Sequence, residues 1–270
     1  MAKRSPNRYA VIIEDIFRAH FRKGKREFSF DRSELETAAQ AHGIELPKNL
    51  GDLIYSFRHR TALPTYITQH APPGEEWVIR GKGKSKYQFA LTDAARILPN
   101  AALATIKIPD ATPGIIEKYA LGDEQALLAK VRYNRLLDIF TGVTCYSLQN
   151  HLRTTAKGLG QIEIDELYVG VDRHGAQFVL PVQAKGGRDQ IGVVQIEQDV
   201  TLCRQRFPDL VCRPIAAQFL SHSVIAMMEL TQQEGRTVVF DEKHYELVES
   251  SAITAEDLQA YSRFHPPVSE

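Results

Sequence analysis

Four side chains in the middle of the chain have the types and spacing to do chemistry together. Glu163 and Asp165 stand two apart, and Gln183 and Lys185 repeat that spacing further on. Side chains two apart on a β-strand project from one face, so neighbouring antiparallel strands are expected to gather two carboxylates, a carboxamide and an ammonium. Oxygen donors of this kind suit a hard divalent cation such as Mg²⁺. Such an ion lowers the pKa of a bound water and neutralises charge building on a phosphate. A lysine beside it can hold or help deprotonate that water and stabilise the pentavalent state. The chemistry implied is phosphodiester hydrolysis, with Asp165, Gln183 and Glu163 as candidate metal ligands and Lys185 as the catalytic cation.

The surrounding pattern predicts the elements that must hold these groups. Glu124 to Phe140 carries apolar residues at helical spacing and is stopped by Gly142. The period then changes to two. Tyr146, Leu148, Leu152 and Thr154 read as a strand, the Gly158-Leu-Gly160 turn follows, and 161–171 and 177–185 read as two more strands joined by Asp172-Arg-His-Gly175. A helix over 189–207 and a strand over 210–219 complete an α-β-β-β-α-β order, with a hairpin over 223–248 afterwards. Pro181 lies inside the third strand, where its missing N–H predicts an edge position or a bulge.

These residues resemble a known superfamily, the PD-(D/E)xK nucleases, in the variant whose last acid is glutamine. Gly158-Leu-Gly-Gln-Ile-Glu-Ile-Asp165 followed by Val182-Gln-Ala-Lys185 is similar to the glycine turn, Asp strand and Q-x-K strand of Mrr-like restriction nucleases and archaeal-type Holliday junction resolvases. The resemblance covers about a third of the chain, roughly residues 124 to 219. It implies an α/β fold with a restriction-endonuclease-like mixed sheet and a Mg²⁺-dependent endodeoxyribonuclease of restriction type. A structure-selective repair or recombination nuclease and an inactive DNA-binding regulator are the alternatives. It also implies metal binding by Asp165 and Gln183, catalysis by Lys185, and Glu124 as an accessory acid, although an acid in a first helical turn is favoured by the helix dipole alone. No proline precedes Asp165, and Glu163 and Glu166 flank it, leaving open which carboxylate assists.

The first hundred residues have a different character. They hold 17 Lys and Arg against 11 Asp and Glu, and the remaining 170 hold 16 against 22, so a net charge of zero conceals a basic half and an acidic half. The order helix, short strand, helix, helix, β-hairpin resembles a winged helix-turn-helix, and residues 1–98 are expected to form such a DNA-binding domain. Its third helix would offer Asn49, Tyr55, Ser56, Arg58 and Arg60 to base edges. Its hairpin would lay Arg80, Lys82, Lys84 and Lys86 along phosphates. Residues 99–114, rich in proline, are expected to link it to a nuclease domain over 115–270.

The rest is exclusion. Three cysteines without paired spacing argue against a disulfide framework and a zinc site, and favour the cytoplasm. The apolar run 9–13 is too short and too soon interrupted by Glu14 and Asp15 for a signal peptide or membrane span. His151, His174 and His222 share no spacing, and adjacent Ser221 and His222 lack a third member for a triad. Cutting both strands of double-stranded DNA needs two sites, which makes a homodimer the expected assembly.

Overall fold

The computed structural model describes residues 7–59, 61–119, 124–186 and 189–263, so Arg60 lies outside the described residues. The molecule is mixed α/β. Its first part runs α1 (Ala10–His20), β1 (Glu27–Asp31), α2 (Arg32–Ala41), α3 (Leu50–His59), α4 (Thr65–Gln69), β2 (Glu76–Gly81) and β3 (Lys86–Thr92), with the strands in the antiparallel order β1-β3-β2. Residues Ile12, Ile13, Ile16 and Phe17 put the apolar face of α1 onto Phe28, Trp77 and Phe89 of this sheet. Each such side chain contributes about 1.5–3 kcal/mol by burial. Helix α2 begins at a capping box in which the Asp31 N–H donates to the Glu34 carboxylate at 2.8 Å. Short α4 starts directly after Pro64.

The second part is built on an eight-stranded mixed sheet. Its elements are β4 (Arg96–Ile97), β5 (Thr105–Pro109), α5 (Gly114–Tyr119), α6 (Glu124–Tyr133), α7 (Leu136–Thr141), β6 (Thr144–Ala156), β7 (Gly160–Val171) and β8 (Gln177–Lys185). There follow β9 (Ile191–Gly192), α8 (Val193–Arg206), β10 (Val211–Cys212), β11 (Ile215–Phe219), β12 (Val224–Gln233), β13 (Arg236–Val248) and α9 (Ala255–Ser262). The large sheet has the order β5-β13-β12-β11-β8-β7-β6, with β10 also pairing β8. Strands β6, β7 and β8 form an antiparallel meander, and β11 lies parallel to β8 after the crossover through α8. Helices α6 and α7 cover one face through Leu127, Leu128, Val131, Leu136 and Leu137. Helix α8 covers the other through Ile196, Val200, Leu202 and Cys203.

Several local expectations are refined. The helix read over 124–140 breaks at Arg135, which adopts a left-handed conformation, and resumes as α7, which Gly142 ends. Pro181 occupies a central strand, and its neighbour is interrupted beside it at Arg213–Pro214, between β10 and β11. Within the stretch expected to connect the halves, Thr105–Pro109 pairs parallel with β13 as an edge strand. The three cysteines are free, and no helix among the described residues is long and apolar enough to cross a membrane.

Candidate active site

The site forms where β7 and β8 part. Their ladder runs from Val171–Gln177 to Glu166–Val182 and stops, so Asp165 faces a gap rather than a paired backbone. Beyond it, residues 183–185 pair only with β11. Two side chains bridge the opening. The Asp165 Oδ2 accepts the Ala184 N–H at 2.8 Å, and the Gln183 amide donates to the Glu163 carbonyl at 3.0 Å. Chain alternation also switches here: Ile162 and Ile164 pack with α8, whereas Glu166 and Tyr168 lie on the α6 side. Opposite the switch, β6 carries His151 at φ 52°, a left-handed conformation at a break in the regular pairing. The simple two-apart facing rule therefore fails for Glu163 and Asp165.

Asp165, Lys185 and Glu124 come together. Lys185 donates from Nζ to Glu124 Oε1 at 2.8 Å, with its side chain only 15% exposed. Burial alone would lower the Lys185 ammonium, but the nearby Asp165 charge and the Glu124 hydrogen bond outweigh it and hold it above the ordinary lysine value. Burial pushes the Asp165 carboxyl up. Lys185 and the Ala184 N–H oppose that shift, and Glu124 and Glu163 reinforce it. Lys185 is thus a fixed cation, a better partner for phosphate oxygen or water than an acceptor of protons.

The other expected ligands are placed differently. Gln183 is buried, and its amide nitrogen binds both the Glu163 carbonyl and Asp199 Oδ2, the latter at 2.8 Å, leaving its amide oxygen as the group that could face an ion. Glu163 is engaged across β6 by Arg153 and His151, each at 3.2 Å. Glu166 points to the opposite face, buried against Arg132 and the Tyr168 hydroxyl, so it does not assist Asp165. Asp199 was missed by sequence reasoning, although an acid within the buried stripe Ile196, Val200 and Cys203 was a legible signal. Burial drives its carboxyl well above the usual range, and its Oδ1 has no hydrogen-bond partner.

Among the described residues no group of three or more His, Cys, Asp or Glu is arranged to hold a metal. The donors present are nevertheless all hard oxygens, and Asp165 and Glu124 share one ammonium between two carboxylates. Mg²⁺ usually takes only one or two protein carboxylates and completes its shell with water and phosphate, so this donor set fits it.

The N-terminal part stands over this region. Gly81 packs so closely on the β6–β7 turn that a Cβ there would collide with the Leu159 carbonyl oxygen. Arg80, expected on phosphates, instead forms a two-pronged pair with Glu197 of α8 at 2.7 Å per contact. Asn49 caps the start of α3, bonding Asp52 and the Gly51 N–H, and Ser56 bonds Thr61. Arg58 is drawn inward, where burial lowers it to about 10, and its Nε and Nη2 lack partners. Lys82, Lys84 and Lys86 remain exposed, Lys86 at 4.0 Å from Asp31. Tyr55 lies near enough to Lys185 to influence its charge.

Comparison with protein-family models, with curated proteins and with solved structures finds no match for this chain.

Proposed function

We propose that this protein is a Mg²⁺-dependent DNA endonuclease. The observation that carries this reading is the convergence of Asp165, Lys185 and Glu124 at a gap between two strands of a sheet covered by helices on both faces. The element order α6/α7-β6-β7-β8-α8-β11 supports a restriction-endonuclease-like core, and the order α1-β1-α2-α3-α4 followed by the β2–β3 hairpin supports a winged-helix-like N-terminal part.

Asp165 and the Gln183 amide oxygen would hold the ion, with Glu124 beside it. When bound, it would supply a water of lowered pKa and neutralise charge on the phosphate. Lys185 binds a phosphate oxygen through an ammonium kept charged by Asp165 and Glu124, and releases Glu124 as it does so. The Ala184 N–H fixes the Asp165 carboxylate, so the acid is oriented before substrate arrives. Glu163 orients β6 through Arg153 and His151 rather than binding the ion.

Incubation with supercoiled plasmid and Mg²⁺ is expected to give nicked and linear DNA. Asp165→Ala and Lys185→Ala should each slow cleavage by at least about a hundred-fold while retaining DNA affinity. Cleavage at the parental rate by both variants would discard the assignment.

A further inference from the structure

A cleft of about 750 Å³ lies between α3, the β2–β3 turn and the β6–β7 hairpin. It is lined by Tyr55 and Tyr87, by Arg32, Arg58 and Lys84, and by Glu163, two residues before Asp165. A larger hollow of about 920 Å³ borders α3 near Trp77 and Asp189, but Asp165, Lys185 and Glu124 do not line it. None of the three lines the smaller cleft either, but its wall holds Tyr55, close enough to Lys185 to act on its charge, and Glu163, close enough to Asp165 to do the same, so it opens beside the candidate site.

Three properties define what it can take. Its volume falls in the range of about 300–1,000 Å³ typical of pockets enclosing a small molecule, the scale of a nucleotide. Its walls combine aromatic rings with cations, the pairing that holds unpaired bases and their phosphates. The α3 residues expected to read bases, Asn49, Tyr55, Ser56 and Arg58, all line this enclosed space. A major groove about 12 Å wide needs a helix with its reading face clear, and here the β6–β7 hairpin stands across that face.

We infer that this cleft binds an unpaired stretch of a nucleic-acid strand, delivering it to Asp165 and Lys185, and does not read the groove of an intact duplex. The inference deepens the nuclease reading and rests on it for the fate of the bound strand. Arg58 supplies the anchor: two buried guanidinium nitrogens, Nε and Nη2, without partners carry a desolvation cost that a phosphate oxygen would relieve. Lys84, on the exposed turn, guides the strand in at the mouth.

Fluorescence anisotropy of the full-length protein in EDTA separates binding from cleavage. The probes are labelled DNA as a single strand, as a perfect duplex, and as a duplex with an unpaired bulge. Single-stranded and bulged DNA are expected to bind about ten-fold tighter than the duplex. Arg58→Met should weaken single-strand binding by about ten-fold, with a melting temperature equal to or above the parent's. Should Arg58→Met not fold, Lys84→Ala is the second test and should cost about two- to three-fold. A perfect duplex bound as tightly as the single strand, or unchanged binding by the folded variants, would overturn the inference. Preference for unpaired DNA without any Mg²⁺-dependent cleavage would instead reject the nuclease reading and keep the cleft.

Discussion

Asp165 shows the tension between stability and chemistry most directly. Burial raises its carboxyl from the ordinary value, so folding is harder on its ionised form than the unfolded chain is. Its contribution to stability is complete below the unfolded value of about 3.9 and is lost as pH rises through the raised folded value. At neutral pH the ionised group therefore destabilises the free protein. Asp165→Asn, which keeps an oxygen for the Ala184 N–H, should melt a few degrees higher than the parent in EDTA at pH 7. The difference should shrink toward zero as the buffer is acidified below pH 4. A variant that melts lower at neutral pH would show that the pairing with Lys185 outweighs burial. The same carboxylate was legible in the sequence from its strand context and from Lys185 further on. The partner that completes the cluster, Glu124, was ambiguous because the helix dipole alone accounts for an acid there.

At the scale of elements, the strand and helix order could be read from periodicity, because β7, β8 and α8 bury continuous apolar sets, whereas β6 buries only Leu152 and Ala156 and leaves Tyr146 and Leu148 exposed. What periodicity could not supply was the parting of β7 from β8 at Glu166–Val182, since alternation says which face a side chain takes and not where a ladder ends. That parting turns Gln183 into a bridge between the Glu163 carbonyl and Asp199 on α8. It also gives a physical reason for glutamine here: a carboxylate would have no N–H to donate to the Glu163 carbonyl or to Asp199. Gln183→Glu is accordingly expected to lose about 2–4 kcal/mol in urea unfolding at neutral pH. Adding Asp199→Asn, which offers an amide to the new acid, should recover most of it. No recovery in the double variant would mean that the two positions are not coupled through this contact.

The charge asymmetry between the two halves takes on a more specific meaning at the scale of the whole molecule. Part of it binds the halves to each other through Arg80–Glu197, and the opposite polarity appears at Arg236–Asp93, 2.6 Å apart. Arg80 read as a wing cation from sequence because its partner is more than a hundred positions away, beyond the reach of any local pattern. The Arg80–Glu197 pair is mostly shielded, at 26% and 19% side-chain exposure, so removing one member leaves a poorly solvated charge. Glu197→Ala should cost about 1–3 kcal/mol, and a double-mutant cycle with Arg80→Ala should return a coupling above about 1 kcal/mol. Additive losses would mean that the contact is not a fastening.

Ile97 closes the hydrophobic layer made by Ile191, Val193 and Ile196, and β4 hydrogen-bonds to β9 in front of α8. A fragment cut after residue 98 would lose that plug, and the pairing groups of Ile191 and Gly192 would open to water. Anyone grafting a foreign reader onto the large sheet must therefore carry Arg96 and Ile97 along with it. The place where the chain changes task is not the place where its packing can be cut.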